Sequence, residues 1–305
     1  MIKYVVTAAA LKLFSTSPQT KRLYRRIGNV LDQVRRIRDG LPTSYVDRAK
    51  KILELCAKHH AIQASDRLLE VGTGWLHWES MIIRLFYDVE ITMYDVWDNR
   101  YFGAYKIYLE QFERVMDKEL NMDPIRLEHA HKLLKAILKA GSFDEIYKLL
   151  GLRYVIHPRG TLVQFQDESF TLIFSCDVLE HIQKDILPQI TQNFHRLLKP
   201  GGYSIHKIDP SDHLYYYDTS VSQKNYLRYS DRVWRRYFEN NVQYINRIQR
   251  AEWLDLFHRA GFELVEEESV TVDIGSIKID KDYQNLDEQD LQCVTLTVIH
   301  RKRQN

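Results

Sequence analysis

The alternation of apolar and polar residues along the chain predicts short strands separated by helices. Runs rich in β-branched and aromatic residues are typical of strands, whereas apolar residues spaced three and four apart indicate helices. Strands that alternate with helices favour a parallel sheet that is covered on both faces. We therefore expect an α/β fold with a doubly wound, mainly parallel sheet of seven strands, near residues 68–71, 90–94, 154–156, 172–175, 203–208, 262–267 and 294–300.

Additional helical patterns predict elements outside this sheet. Three helices, over 2–14, 19–38 and 45–60, precede the first strand, and three more separate the second strand from the third. The region after the fifth strand is rich in tyrosine and arginine. We predict an N-terminal helical cap over 1–62 and a sheet domain over 63–305, with a helical insertion over 100–152 and an aromatic-rich lid over 210–250.

Composition places the chain among ordinary globular proteins. Its 305 residues suffice to bury a sizeable core, and its net charge is +2. Cys56, Cys176 and Cys293 are far apart and follow no paired spacing, which indicates reduced thiols. No secretory signal is recognisable, and no apolar run approaches the ~20 residues that span a bilayer. We expect a cytoplasmic protein.

Positive charge is concentrated near the N-terminus. Residues 1–52 contain twelve lysines and arginines against three aspartates, with clusters at 21–26 and 35–38. Such clusters are typical of a solvated helix face, of a membrane-surface contact or of a polyanion site. We favour the solvated face and keep peripheral membrane contact open. Nucleic acid is disfavoured as a partner, because no aromatic pattern for bases accompanies the charge.

A glycine turn follows the first predicted strand. The apolar strand that contains Glu70 runs into Gly72 and Gly74, and a helical pattern begins near Ser80. Glycine permits positive φ and, without a Cβ, lets a ligand approach the backbone. The following helix offers free N–H groups at its start. The pattern indicates a nucleotide-like cofactor at the carboxyl end of the strand, with a purely structural turn as the alternative.

Later motifs narrow the identity of this cofactor. Asp95 closes the second strand about 20 residues beyond the glycines, where a ribose-binding carboxylate is expected. A buried strand runs into Asp-Val-Leu-Glu-His at 177–181, and Leu-Lys-Pro-Gly-Gly follows at 198–202. In order and spacing these motifs resemble the class I S-adenosylmethionine-dependent methyltransferases. The resemblance implies S-adenosylmethionine as cofactor and an antiparallel last strand.

The resemblance also implies roles for individual residues. Glu70 contacts the amino-acid part of the cofactor, and Asp95 accepts hydrogen bonds from both ribose hydroxyls. From the residues alone, a helix N-terminal acid and a turn-forming aspartate are the alternatives. The implied cofactor-binding residues are Glu70, Gly72, Thr73, Gly74, Trp75, Asp95, Val96 and Asp177.

Two departures from the family pattern concern the cofactor site. Leu76 stands where a third glycine is common in nucleotide loops, so Trp75 would crowd the turn unless it faces away. No acid occupies residues 157–161, where the family often has one near adenine. Gln164, Gln166 or a backbone group is therefore expected to substitute.

The candidate catalytic residues are His181, Asp209, Asp212 and His213. His181 follows the fourth strand and is a candidate proton acceptor, because imidazole titrates near neutral pH. We favour a structural or cofactor-lining role for it, since geometry must come before pKa in choosing a base. The other three follow the fifth strand. They suit a general base, a divalent-metal site or a turn around Pro210. We favour the turn over the base, and no metal is expected.

These features together predict an enzyme that transfers a methyl group. The aromatic and arginine residues over 214–244 suit sugars, nucleotide-sugar phosphates or bases, and an amphipathic lid whose tyrosines pack on the sheet is the alternative. The chain is also similar to bacterial methyltransferases associated with polysaccharide synthesis. We expect O-methylation of a sugar or glycan precursor with help from a general base. An RNA methyltransferase that uses the basic N-terminal region and a non-catalytic cofactor-binding adaptor are the alternatives.

Overall fold

A computed structural model describes residues 1–275 and 277–304, without the side chains of residues 29 and 32. Within these residues the seven predicted strands are present: β1 (Arg67–Val71), β2 (Glu90–Asp95), β3 (Leu152–Ile156), β4 (Phe170–Cys176), β5 (Leu198–Ile208), β6 (Phe262–Thr271) and β7 (Cys293–Lys302).

These strands form one sheet in the order β3-β2-β1-β4-β5-β7-β6. β1 runs parallel to both β2 and β4, and β2 runs parallel to β3. Leu69 of β1 lies level with Thr92 of β2 and with Ile173 of β4. β1 and β2 are buried after their first residue, as expected for parallel strands covered on both faces. The predicted α/β, doubly wound sheet is confirmed.

Helices occupy the positions that the apolar periodicity predicts, and two short helices, Asp231–Tyr237 and Glu288–Gln292, are additional to the prediction. They are α1 (Ile2–Phe14), α2 (Pro18–Asp39), α3 (Thr43–Lys58), α4 (Trp78–Phe86), α5 (Phe102–Glu119), α6 (Pro124–Lys139), α7 (Phe143–Leu150), α8 (Leu187–Leu197), α9 (Asp231–Tyr237), α10 (Arg250–Arg259) and α11 (Glu288–Gln292). Single turns of 3₁₀ helix follow β4 and β5.

The chain divides into two compact units. One, the β1 unit, comprises residues 30–175, 196–204 and 302–305, and the other, the lid unit, comprises 1–29, 176–195 and 205–301. The predicted cap over 1–62 is thus shared between the units. The boundaries of cap, insertion and lid remain predictions.

The core of the β1 unit forms around α4. Trp78, Met81, Ile82 and Leu85 are all buried, so this helix is apolar on more than one face. It packs against α3 and α6, while α7 packs against β3. The helices predicted between the second and third strands therefore form part of a common core rather than an exposed appendage.

The core of the lid unit joins α1 to the aromatic segment. Tyr4 and Leu11 of α1 pack with Tyr226, Trp234 and Phe238 in one buried cluster. Many of the aromatic residues that suit sugar binding in the sequence are therefore core residues. Their burial explains why α1, although far away in sequence, belongs to this unit.

α2 exposes apolar side chains among its basic residues. Leu23, Ile27, Leu31 and Val34 follow a helical spacing and are largely exposed. None of the described helices combines the length and apolar character needed to cross a membrane. Contact of this helix with a membrane surface remains a prediction.

We predict that Gly202→Ala destabilises the protein. A Cβ at this position would lie 2.9 Å from the carbonyl oxygens of Lys199 and Thr171, and backbone atoms cannot give way cheaply. Overpacking of this kind costs about 1–3 kcal/mol. The free energy of unfolding, measured by urea denaturation, should fall by that amount.

Gly28→Ala is the matched control. A Cβ at Gly28 meets nothing within 4 Å, and the residue lies inside α2. Alanine should stabilise the helix by about 0.5–1 kcal/mol. Equal effects of the two substitutions on urea unfolding would contradict the close packing assigned to Gly202.

Candidate active site

Glu70 anchors the glycine turn in the β1 unit. It is 2% exposed, and its Oε2 accepts hydrogen bonds from the hydroxyls of Thr73, at 2.6 Å, and Ser80. The first of these bonds closes the turn, and the second ties it to α4. A buried acid requires such partners because leaving it unpaired would be costly.

The hydrogen bonds continue from Thr73 into the interior. Thr73 Oγ1 lies 2.8 Å from His77 Nδ1, and His77 Nε2 lies 2.7 Å from the hydroxyl of Tyr147. Because Thr73 has given its one hydrogen to Glu70, His77 must donate from Nδ1 and accept from Tyr147 at Nε2. Burial lowers the pKa of His77 to about 3, so the ring stays neutral.

Glu79 and Arg48 complete the surroundings of Glu70. Arg48 donates two hydrogen bonds, of 2.6 and 2.8 Å, to the Glu79 carboxylate. Burial, and then the negative charge of Glu79, raise the pKa of Glu70 to about 8. Glu70 is therefore largely protonated at neutral pH, which suits a role in shaping the turn.

The two glycines of the turn have positive φ, and Gly74 lies beside Asp95. Gly72 and Gly74 have φ values of +74° and +66°, a region that side chains other than glycine rarely adopt. A Cβ on Gly74 would meet nothing within 4 Å. The N–H groups of Gly74 and Val96 donate to separate oxygens of the Asp95 carboxylate, at 3.1 and 2.7 Å. Burial raises the pKa of Asp95 despite these bonds.

Trp75 packs against side chains of α2 and α5. It is buried, its ring meets that of Tyr108 edge-on at 5.2 Å, and the guanidinium of Arg36 lies 4.0 Å from its centroid. Val96, in contrast, exposes its side chain. The structure therefore assigns Trp75 a packing environment, and its predicted contact with a cofactor stays untested.

Asp177 and Lys207 form an ion pair in the lid unit. Asp177 follows β4 with a φ of +54°, and Lys207 Nζ lies 2.6 Å from its Oδ1. The backbone N–H of Asp177 also donates to the carbonyl of Lys207. These contacts fix the loop after β4 to the end of β5.

Two histidines from separate loops meet near this ion pair. The rings of His181 and His213 lie 4.9 Å apart between centroids. His181 Nδ1 is 2.7 Å from the carbonyl oxygen of Tyr244, and because a carbonyl can only accept a hydrogen bond, Nδ1 carries the proton and donates. His181 Nε2 is therefore the nitrogen without a proton when the ring is neutral.

Asp209 lies beside His213 and Tyr216. Its Oδ2 accepts a hydrogen bond from the Tyr216 hydroxyl at 2.7 Å. The same oxygen lies 3.4 Å from His213 Nε2, but this contact does not have the geometry of a hydrogen bond. Burial alone would raise the pKa of Asp209, but His213 and hydrogen bonds from Ser211 and Tyr216 hold it below its ordinary range. Asp209 is a carboxylate at neutral pH.

Glu180 is the buried acid beside these histidines and aspartates. It is 2% exposed, and neither carboxyl oxygen has a hydrogen-bond partner among the described residues. Burial and the negative charges of Asp177 and Asp209 raise its pKa well above the usual range. We call Asp177, Glu180, His181, Asp209 and His213 the acid–histidine cluster.

Asp212 lies in the core, away from solvent. Its Oδ2 accepts from the hydroxyl of Tyr4 at 2.6 Å, and its Oδ1 accepts from the N–H of Leu214 at 3.0 Å. Burial raises its pKa to about 6. Its contacts are those of a residue that joins α1 to the loop after β5, and no open face is left for a substrate.

Lys224 is another buried charged residue of this core. Its ammonium lies within 3.0 Å of four oxygens, from Pro210, Tyr226, Gln249 and Cys293. Burial lowers its pKa to about 7. Its complete hydrogen bonding indicates a structural role in holding the lid unit together.

Each unit thus gathers part of the predicted site. Glu70, Thr73, Gly74 and Asp95 are connected in the β1 unit, whereas Asp177, His181, Asp209 and His213 gather in the lid unit. The sequence interpretation missed His77, Tyr147, Lys207 and the unpaired state of Glu180. The Glu-His dipeptide at 180–181 is visible in the sequence, but burial and partners are not.

We predict that Glu70 gives stability a distinct pH dependence. Its pKa is near 4.5 unfolded and about 8 folded, so the folded state binds the extra proton between these values. Its stabilising contribution is complete below about 4.5 and is lost as pH rises through 8, with a slope approaching ~1.4 kcal/mol per pH unit. Glu70→Gln should remove this slope from the free energy of unfolding, measured in urea at several pH values.

The exposed Glu90→Gln substitution is the control and should keep the wild-type slope. Glutamine at 70 can still accept from Thr73 and Ser80 but does not ionise. An unchanged slope in the Glu70→Gln variant would show that the proton resides elsewhere.

Comparison with solved structures finds distant similarity. A phosphoethanolamine N-methyltransferase 2 of Haemonchus contortus, in complex with S-adenosylmethionine, aligns with 12% identity and a TM-score of 0.46 over 85% of this chain and 53% of its own. This chain spans about half of that protein. An S-adenosylmethionine-dependent methyltransferase of Methanosarcina mazei aligns with 13% identity, a TM-score of 0.43 and coverages of 82% and 98%. The YcgJ protein of Bacillus subtilis aligns with 16% identity and a TM-score of 0.42, over 84% of this chain and 99% of its own.

No match was found among curated proteins. Residues 42–267, more than half of the chain, match the family described as "Methyltransferase domain". This match covers β1 to β5, the glycine turn, Asp95 and the acid–histidine cluster. The open backbone at Gly74 and the adjacent carboxylate of Asp95 fit the cofactor of that family. The chain therefore belongs to the methyltransferase-domain family, as an enzyme of the class that takes its methyl group from S-adenosylmethionine.

Proposed function

We propose that this methyltransferase acts on an oxygen of a sugar or glycan precursor. The observation that carries this proposal is the acid–histidine cluster, in which His181 keeps Nε2 free of a proton and the carboxylate of Asp209 lies beside His213. A hydroxyl is a poor nucleophile until its proton is removed or its pKa is lowered. The cluster contains groups suited to that task.

Exposed aromatic surface beside the cluster supports a saccharide acceptor. Tyr216 is 61% exposed, its ring lies 5.6 Å from that of His213, and its hydroxyl binds Asp209. An exposed ring with a fixed polar end suits the apolar face and hydroxyls of a sugar. Because Tyr226, Trp234 and Phe238 are core residues, Tyr216 is the aromatic residue on which this part of the proposal rests.

The glycine turn and Asp95 are the groups that would hold the cofactor. Each Asp95 oxygen accepts one backbone hydrogen bond and retains acceptor capacity for ribose hydroxyls. Gly74 lets the ligand approach the backbone. Glu70 would act through Thr73, by holding the turn. When bound, S-adenosylmethionine supplies a methyl group made electrophilic by its positively charged sulfur.

We predict that Asp95→Ala weakens binding of S-adenosylmethionine at least tenfold, since a charge-assisted hydrogen bond contributes roughly 1.5–3 kcal/mol. Isothermal titration calorimetry of the full chain would measure the loss. Asp98→Ala removes a nearby exposed acid that pairs with Arg100, and it should leave the affinity almost unchanged. Equal affinities for wild type and Asp95→Ala would refute the ribose role.

The acceptor class can be tested by methyl transfer into fractionated cell extract with radiolabelled S-adenosylmethionine. We expect label in a saccharide fraction, in a methyl ether bond that survives mild alkali. Asp95→Ala should lower the incorporation because less cofactor is bound. Label in RNA, or on nitrogen or carbon of another acceptor, would overturn the oxygen–saccharide proposal and leave the methyltransferase assignment intact.

A further inference from the structure

We propose that Glu180, His181 and His213 bind a divalent metal ion in the lid unit. One ligand atom from each residue lies within 4.8 Å of the other two. The donors come from two separate segments, the 3₁₀ turn after β4 and the loop after β5. Folding of this unit therefore brings together a carboxylate and two imidazoles, a donor set that is common in metal sites.

Glu180 is the first independent sign of a ligand. The interior hides its side chain almost completely, and yet neither of its carboxyl oxygens has a partner among the described residues. Buried polar groups are nearly always satisfied, so a buried carboxyl group without a protein partner indicates a bound ion or water. A cation coordinated by this carboxylate would satisfy it.

His181 is oriented as a metal ligand would be. Its Nδ1–H donates to the carbonyl oxygen of Tyr244 at 2.7 Å, which fixes the tautomer and leaves the Nε2 lone pair available. Metal-binding histidines almost always donate their other N–H to a carbonyl or carboxylate in this way. The contact with Tyr244 therefore has a function beyond local packing.

The charge around the three donors favours a cation. Asp177 and Asp209 bring two further negative charges close to Glu180, and Lys207, which pairs with Asp177, brings one positive charge. His213 Nε2 is buried, has no hydrogen-bond partner within residues 1–275 and 277–304, and lies 3.4 Å from Asp209 Oδ2. With Glu180 ionised, as a bound cation would require, and both imidazoles neutral, these groups carry a net charge near −2, which a divalent ion would balance.

The donor set indicates the class of ion. Two imidazole nitrogens and one carboxylate suit first-row transition ions such as Mn²⁺, Fe²⁺, Co²⁺ or Zn²⁺ better than Mg²⁺ or Ca²⁺, which prefer oxygen. Donors on a tetrahedral ion are about 3.4 Å apart, given bond lengths of about 2.0–2.2 Å. Small side-chain rotations of the three residues would close the observed separation.

Three protein donors leave at least one coordination position open. A hydroxyl bound there would have a lower pKa, and its proton would pass to solvent, leaving an alkoxide for methyl transfer. This role of the ion rests on the proposed function, but the binding site does not. The site also explains how a hydroxyl acceptor can be activated without assigning either histidine as the base.

Metal binding by the full chain, stripped with a chelator and without substrate, tests the proposal. Titration calorimetry should give one bound Co²⁺ per chain, and the bound Co²⁺ should show visible absorption bands from nitrogen ligation. One Mn²⁺ per chain should also bind, measured by the loss of the electron-spin-resonance signal of free Mn²⁺. Glu180→Gln and His181→Ala should each weaken binding at least roughly tenfold, as losses of site residues do.

His258→Ala is the matched control, because this histidine lies exposed on α10 outside the cluster. It should bind both ions like wild type. Urea unfolding without metal would establish that each variant is folded. Should Glu180→Gln fail to fold, His181→Ala decides, because His181 is exposed and its loss is tolerated more readily.

The proposal would be overturned if no stoichiometric metal binding were found. It would also be overturned if the metal affinity were the same for wild type, Glu180→Gln and His181→Ala. Glu180 would then be a protonated structural acid. The two proposals can fail separately. Metal bound at this site with label on a nitrogen acceptor would overturn the oxygen acceptor alone. Label on a saccharide oxygen without any bound metal would overturn the metal site alone.

Discussion

The buried carboxyl group of Glu70 fixes the geometry at the end of β1. It cannot reach water, so the protein must satisfy it with its own donors. The hydroxyl of Thr73, in the turn, and that of Ser80, in α4, both donate to Glu70. The backbone between β1 and α4 must therefore turn tightly. Positive φ at Gly72 and Gly74 follows from that tight turn. The N–H of Gly74 then donates to the carboxylate of Asp95, which joins the turn to the end of β2.

The buried ionisable groups of the lid unit differ in their hydrogen bonding. Lys224 has four oxygens around its ammonium, and Asp212 holds the hydroxyl of Tyr4, so both groups stabilise the fold. Glu180 is equally buried but has no such partner in the part of the chain that the structure describes. This contrast separates structural polar groups from those available for chemistry. It also explains why the proposed metal site involves Glu180 rather than the acids around Pro210.

Much of the fold could be predicted from the sequence because its signals are local. The apolar runs of β1, β2 and β4 and the periodicity of α3 and α5 depend on nearby residues alone. Glycines at 72 and 74 marked the turn, and the family resemblance supplied the cofactor. The site was less predictable. Asp209 and Asp212 are three positions apart in one loop, yet one faces the acid–histidine cluster and the other lies in the core.

The sequence by itself determined the order of strands and helices, the turn at the end of β1 and the methyltransferase family. Each of these depends on short-range patterns or motifs. Tertiary structure alone decided that Tyr4 would reach Asp212, that Trp75 would pack against Tyr108, and that Glu180 would be buried without a hydrogen-bond partner among the described residues. The reason is physical: burial and hydrogen bonding depend on residues far apart in the chain, whose meeting no local spacing can specify.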